Sequence, residues 1–334
     1  MTTISAFAAL TAKEQLAPYT YEAAALGPND VEIEISHCGI CHSDIHLIDN
    51  DWASSTYPLV PGHEIVGTVA AAGKACALEI GQRVGVGWQR SACLTCELCR
   101  AGHENLCATQ QATCVDNYGG FANRIRLDGR FAFPLPPSLD SAATAPLLCA
   151  GVTVFAPLRR WNVRAGSSVG VIGIGGLGHL ALRFLRAMGA RVTAFTSSPD
   201  KREEAIRLGA NDAASSTNVK EIRSHSNRFD MLLCTAPGRL DWISYVETLK
   251  PNGVLCLVGA PPGLIQFSPA QLLLTQRIIC GSDIGSPGAI REMLAFAAEH
   301  GIGAQIETTP LSDANAALLR VRKNQARYRM VLTG

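Results

Sequence analysis

A chain of 334 residues with a formal net charge of +1, 47% apolar and 17% charged, has the length for about two domains at roughly 150 residues each. Near-neutral charge without a basic, aromatic-rich stripe excludes the footprint of a nucleic-acid binder or of a protein drawn to an anionic membrane surface, and no run of about 18 apolar residues proposes a spanning helix. The opening "MTTISAFAALTAKEQLAPYT" has no basic leader and is interrupted by Thr11, Lys13 and Glu14, so the expectation is a cytoplasmic protein whose twelve cysteines serve as metal thiolates or small buried hydrophobes.

From residue 1 to about 145, short runs such as "VEIEISHCG", "EIVGTVAAAG" and "RVGVG", separated by Gly, Pro and Asp, predict a compact β-dominated unit. Three dispersed segments near or within it, "HCGICHSDIH", "PGHEIVG" and "LLCAGVTV", carry Cys41, His63 and Cys149. Each residue alone is a weak signal. Together, two thiolates and an imidazole form a three-ligand set that leaves a tetrahedral metal one open position, which a catalytic zinc requires.

"CLTCELCRAGHENLC" places Cys93, Cys96, Cys99 and Cys107 within one loop. Two-residue gaps let successive thiolates turn back on one ion, and the fourth closes a structural zinc site. Ferredoxin-like iron–sulfur runs share that spacing, but there Pro usually follows the fourth cysteine, and here Ala108 does. Cysteines buried only for packing sit among apolar neighbours, whereas this loop contains Arg100, His103, Glu104 and Asn105.

Beyond "FPLPPSLD" apolar β runs alternate with helical stretches, predicting βαβ units and a parallel sheet covered by helices on both faces. "VGVIGIGGLGHLAL" carries Gly173, Gly175, Gly176, Leu177 and Gly178 directly after a strand and into a helix. Gly173 suits a tight turn, Gly175 a close approach to pyrophosphate, and Gly178 close packing of helix on strand, with the helix N-terminus facing phosphate. About 20 residues on, where an acid would bind the ribose of NAD, stands Thr196. Ser197 and Ser198 offer hydroxyls, and Lys201 and Arg202 offer cations, for a 2′-phosphate, which favours NADP. Alternatively, Ser-Ser-Pro simply starts the next helix, a role compatible with phosphate binding. From about residue 288 the chain returns to helix and edge strand, ending in "RYRMVLTG". No repeat or low-complexity tract is present.

Together "GICHSDIH", "PGHEIVG", the four-cysteine lobe, "GIGGLGHLAL" and "GSDIGS" resemble, in order and over nearly the whole chain, the zinc-dependent medium-chain alcohol dehydrogenases, and among them the cinnamyl alcohol dehydrogenase-like branch. The resemblance implies an α/β protein: a GroES-like β-rich catalytic domain from residues 1–147 and 288–334, and a Rossmann doubly wound parallel-sheet domain from residues 148–287. It implies two zinc ions per chain, a catalytic one on Cys41, His63 and Cys149 and a structural one on Cys93, Cys96, Cys99 and Cys107, together with NADP(H) and a homodimer. Glu64 then looks like the acid that approaches the metal during ligand exchange. Asp44 looks like the acceptor that fixes the tautomer of His63, and Ser43 and His46 resemble a proton relay between alcohol and solvent. His42, Thr153, Leu177, Gly285 and Ser286 match cofactor-contacting positions, and Trp52 and Trp88 match pocket aromatics. Two positions depart from the pattern. Gln82 replaces a usual Asp, which is expected to alter a structural hydrogen bond, and Asp283 replaces an apolar residue near the cofactor or subunit contact.

The implied reaction is hydride transfer between NADP(H) and primary alcohols or aldehydes, aromatic or aliphatic, with aldehyde reduction the expected direction because cells keep NADP reduced. One alternative is an NAD-dependent zinc polyol or secondary-alcohol dehydrogenase, against which Thr196 counts. Another is a non-catalytic NADPH-binding protein, against which the complete ligand set counts.

Overall fold

A computed structural model describes residues 2–236, 238–259 and 264–334. The chain divides into two compact units, Met1–Val152 with Gly285–Gly334, and Thr153–Ile284.

Among the described residues, a seven-stranded sheet organises the first unit. Its longest strand, Asp30–Gly39, buries the β-branched Val31, Ile33 and Ile35 at period two, the pattern that suits one covered face of a sheet. One edge of this strand pairs antiparallel with Ile65–Ala72. Its other edge is shared, residues 30–34 pairing with Arg124–Asp128 and residues 37–39 with Arg329–Thr333. Arg83–Val86 and Ala132–Pro134 extend the sheet beyond Ile65–Ala72.

The expected terminal edge strand requires correction. Arg329–Thr333 lies inside the sheet, flanked by Asp30–Gly39 and by Ile306–Pro310, which holds the edge instead. Its run of Met330, Val331 and Leu332 is wholly buried, and a consecutive apolar run belongs to a strand covered on both faces.

A helix absent from the sequence reading, His42–Asp49, follows Gly39. Cys41 caps its start, with Asp44 accepting the Cys41 N–H at 2.8 Å, and Ile45, Leu47 and Ile48 anchor it in the core. At eight residues it is too short for helical periodicity to stand out from the neighbouring strand pattern.

Among the described residues the second unit is built on a six-stranded, all-parallel sheet in the order Asp212–Ser215, Arg191–Thr196, Ser168–Ile172, Phe229–Cys234, Leu249–Leu257, Ile278–Gly281. Chain order therefore reverses between Ser168–Ile172 and Phe229–Cys234, and the crevice at the carboxyl ends of those strands is where a doubly wound sheet binds its ligand. Ala260 and Pro261, which end the apolar run "GVLCLVGAP" that starts at Gly253, lie outside the described residues. Phe195, Phe229 and Tyr245 meet edge-on, with ring centroids 5.3–5.8 Å apart, in the core of this unit. Burial of each such ring contributes about 1.5–3 kcal/mol. No single helix among the described residues is long and apolar enough to cross a membrane.

Candidate functional site

Three separate stretches of the first unit converge on one point. Cys41 begins the helix His42–Asp49, His63 and Glu64 lie immediately before the strand Ile65–Ala72, and Cys149 occupies the bend after the 3-10 turn Ala145–Leu148. One ligand atom from each of Cys41, His63, Glu64 and Cys149 lies within 4.8 Å of the others. His63 and Glu64 are fully buried.

Asp44 orients the imidazole. Its buried carboxylate accepts the backbone N–H groups of Cys41 and Gly62, each at 2.8 Å, and lies 3.1 Å from His63 Nδ1. The opposite nitrogen, His63 Nε2, is buried without any hydrogen-bond partner among the described residues. A buried polar atom left open beside two thiols and a carboxylate is costly unless a ligand completes it, and this donor set fits a divalent zinc ion with a fourth position free. The Cys41 thiol is pulled well below its ordinary pKa by a hydrogen bond from Cys149, which outweighs burial, with His63 adding to the effect. Cys149, by donating that bond and being buried, moves upward. One thiolate, the form that ligates metal, is thus favoured at the site.

The four-cysteine lobe makes a second cluster, all four sulfurs lying within 4.8 Å of one another. Zinc–sulfur bonds of about 2.3 Å set tetrahedral sulfur–sulfur edges of about 3.8 Å. Cys93 lies 3.9 Å from Cys99 and 3.6 Å from Cys107, so these sulfurs enclose one ion and leave no room for an iron–sulfur core. Hydrogen bonds from Thr95 N–H and Cys96 N–H lower the Cys93 thiol to about 5, while burial and neighbouring thiols push Cys99 up to about 12.

Around the first cluster, Ser43 Oγ lies 3.6 Å from Cys41 Sγ. His46 follows one turn later on the same helix face, 40% exposed, with Nδ1 2.8 Å from Asp51. Rings then run from His46 to Trp52 (5.2 Å), from Trp52 to Trp88 (6.3 Å) and from Trp88 to His63 (4.9 Å). His42 is exposed at the helix start. Gly285 precedes Ser286, whose hydroxyl caps the helix Pro287–His300 by accepting the Ala289 N–H at 3.3 Å.

In the second unit the glycine turn joins Ser168–Ile172 to the helix Gly178–Ala187. Gly173 has φ +91°, and a Cβ at Gly178 would lie 2.0 Å from the Gly173 carbonyl oxygen, so both positions need glycine. Gly176 and Leu177 complete the turn, and Thr153 is buried in the helix Ala150–Arg160. Thr196 closes its strand, buried, and accepts the Ser198 N–H at 3.3 Å, while Ser197 is exposed. Lys201 Nζ reaches the Ile174 carbonyl at 3.3 Å, placing this cation at the glycine turn. Arg202 instead pairs with Glu221 at 3.0 Å. Gln82 accepts the Glu79 N–H at 3.1 Å in a surface turn, and Asp283 is exposed.

Three residues at these sites carry no local signal in the sequence. Arg329 forms a buried ion pair with Glu64, Cys114 lies 3.8 Å from His63 Nδ1, and Thr235 Oγ1 donates to the Gly173 carbonyl at 2.6 Å, fixing the turn. Thr235 directly follows the strand Phe229–Cys234, and its place at a carboxyl end of the sheet is the cue to its role.

The family model of the alcohol dehydrogenase GroES-like domain matches residues 27–137, and that of the zinc-binding dehydrogenases matches residues 176–299. Aldehyde reductase AdhA of Synechocystis sp. is 45% identical over 331 residues, covering 99% of this chain and 98% of its own. A solved cinnamyl alcohol dehydrogenase from Sorghum bicolor superposes with a TM-score of 0.96 at 36% identity, covering 99% of this chain and 98% of its own. A second, from Helicobacter pylori and complexed with NADP(H), gives 0.92 at 32% identity with the same coverage.

Proposed function

The chain belongs to the zinc-binding alcohol dehydrogenases, enzymes of alcohol–aldehyde oxidoreduction, and we propose that it works as an NADP(H)-dependent aldehyde reductase for primary alcohols and aldehydes. The convergence of Cys41, His63 and Cys149 with an unpartnered His63 Nε2 is the observation that carries this reading. When bound, the metal supplies Lewis-acid polarisation of the substrate oxygen and the nicotinamide exchanges hydride with the adjacent carbon.

Cys41, His63 and Cys149 hold the metal, and Asp44 keeps the His63 proton on Nδ1 so that Nε2 presents its lone pair. Glu64 stands beside the ligand set as an alternative donor, neutralised by Arg329. In the reductive direction His46, half-exposed on the same helix face, draws a proton from water and Ser43 delivers it to the substrate oxygen, and alcohol oxidation runs the same relay in reverse. Trp52 and Trp88 wall the substrate position beside His63. At the nucleotide, Gly173, Gly175, Gly176, Leu177 and Gly178 receive the pyrophosphate. His42, Thr153, Gly285 and Ser286 contact the cofactor elsewhere.

Preference for NADP(H) is supported by Thr196 in place of an acid, by Ser197 and Ser198 beside it, and by Lys201 at the turn. The bound NADP(H) of the Helicobacter pylori relative agrees. We also propose the domain seams near residues 148 and 287, and a homodimer. The homodimer is supported by the open edge strand Ile278–Gly281 and the exposed Leu273 and Leu274 that precede it. Twelve cysteines, six of them in two metal-type clusters, support a reducing, cytoplasmic compartment.

The test is NADPH oxidation by the zinc-loaded protein over benzaldehyde, cinnamaldehyde, aliphatic aldehydes and ketones, alongside Cys41→Ala and His63→Ala. Turnover that disappears in both variants while NADPH still binds supports the reading. Full turnover in a variant lacking that zinc ends it, and a preference for NADH with ketones or polyols selects the secondary-alcohol reading.

A further inference from the structure

A cavity of about 450 Å³ in the first unit takes no part in the chemistry above. Its wall includes Arg90, on the strand Gln89–Ser91, and Tyr21, on the strand Ala17–Glu22, with Tyr118, Ile4 and Ile125 around them. Among the described residues the only hydrogen bond of the Arg90 guanidinium runs from Nη2 to the Arg126 carbonyl at 2.5 Å, and no carboxylate pairs with it. The other arginine of the wall, Arg126, is already bound to Glu32 at 2.5 Å. The Tyr21 hydroxyl also finds no acceptor among the described residues.

Apart from that backbone carbonyl, the remaining donors of this half-buried guanidinium have only the solvent of the cavity to serve them. Burial lowers the Arg90 pKa, while Tyr21, Asp30 and Cys114 push it back up. The planar fork keeps donors free toward the cavity, where a carboxylate can accept two parallel charge-assisted hydrogen bonds. Tyr118 packs on Tyr21 with ring centroids 4.3 Å apart and, with Ile4 and Ile125, offers an apolar surface. The volume falls within the roughly 300–1,000 Å³ of small-molecule sites.

We infer that this cavity is a second binding site, for a monoanionic organic carboxylate held by Arg90 and Tyr21 with its apolar part on Tyr118, Ile4 and Ile125. A monoanion is preferred because Glu22 and Asp116, both exposed at the wall, repel a doubly charged phosphate. The site is separate from the proposed substrate position, although one of its walls, Cys114, lies 3.8 Å from His63 Nδ1.

Isothermal titration of the zinc-loaded protein with cinnamate, neutral cinnamamide and inorganic phosphate tests this, in the parent chain, Arg90→Met and Tyr21→Phe. The parent is expected to bind cinnamate at one site beyond any carboxylate bound at the metal. That site should weaken at least about tenfold in Arg90→Met and several-fold in Tyr21→Phe, the loss of a charge-assisted and of a neutral hydrogen bond. Tyr21→Phe keeps the shape of the wall, so the test stands even if Arg90→Met fails to fold. Identical cinnamate titrations in parent and variants would overturn the inference, as would cinnamamide or phosphate binding at the Arg90-dependent site as tightly as cinnamate.

Discussion

Arg329 and Glu64, 265 residues apart in the chain, form an ion pair in which neither side chain reaches solvent appreciably. Glu64 keeps its second oxygen, Oε2, without a hydrogen-bond partner among the described residues, next to the thiols of the metal cluster. Arg329→Met therefore strands a buried carboxylate and should cost about 3–5 kcal/mol. The double change Arg329→Met with Glu64→Gln removes both charges and should recover more than half of that loss. Urea unfolding of the three proteins, each with its zinc content measured, decides. A single variant as stable as the parent would show that the pair adds nothing.

The two clusters should separate by their effects on stability. Cys149→Ser is expected to lower zinc from two ions per chain to one and abolish turnover while lowering melting by less than about 3 °C, the cost of leaving His63 Nε2 open in a core that packs without the metal. Cys96→Ser should also leave one zinc but lower melting by at least about 5 °C, since a closed site couples metal binding to the folding of its loop. Metal analysis combined with calorimetry checks both. Equal melting temperatures for the two variants would remove the distinction between structural and catalytic sites.

What could be read without coordinates follows the reach of each interaction. The lobe from Cys93 to Cys107 is legible because its geometry is local, two-residue gaps being enough to turn thiolates onto one ion. The glycine turn is legible for the same reason, as strand, turn and helix follow each other directly. Cys41, His63 and Cys149 become readable only as a set, since no local pattern brings them together. Arg329 was missed because its relation to Glu64 exists only once the last strand enters the sheet beside Asp30–Gly39. The same long-range pairing defeated the expectation of a terminal edge strand, and the cavity at Arg90 depends on four strands that no motif connects.

Glu32 makes the first unit sensitive to acid. Burial pushes its carboxyl pKa up, but hydrogen bonds and charge from Arg124 and Arg126 outweigh burial and hold it below the ordinary value. A carboxyl depressed in the folded state contributes stability that is fully present above the unfolded pKa of about 4.3 and is lost as pH falls through the folded value. Glu32→Gln should lower stability near neutrality by about 2 kcal/mol and flatten the acid limb. Urea midpoints from pH 7 down to about 3.5 measure this, and parallel profiles for the two proteins would show that Glu32 does not carry the dependence.

Coenzyme choice should respond to the two residues that replace an acid with a cation. Thr196→Asp with Lys201→Ala puts a negative charge at the strand end and removes the ammonium at the glycine turn. The ratio of kcat/KM for NADPH over NADH should fall by about tenfold to a hundredfold, the scale of one or two charge-assisted hydrogen bonds. An unchanged ratio would mean that the 2′-phosphate is bound elsewhere.

Gly175 and Gly178 stand three residues apart in one turn and should fail in opposite ways. A Cβ at Gly178 would lie 2.0 Å from the Gly173 carbonyl oxygen, a backbone atom that cannot move without pulling the helix Gly178–Ala187 from its strand. Gly178→Ala should therefore destabilise the second unit by more than about 2 kcal/mol, through forced overpacking. Among the described residues a Cβ at Gly175 meets nothing within 4 Å, and its φ lies outside the left-handed region, so alanine there is expected to be tolerated by the fold. If the open space beside Gly175 is where pyrophosphate approaches the backbone, Gly175→Ala should melt within about 2 °C of the parent yet bind NADPH at least about tenfold more weakly. Calorimetry and NADPH fluorescence titration on the same preparations separate the two effects. Unchanged NADPH affinity in a fully folded Gly175→Ala would place the pyrophosphate away from this turn.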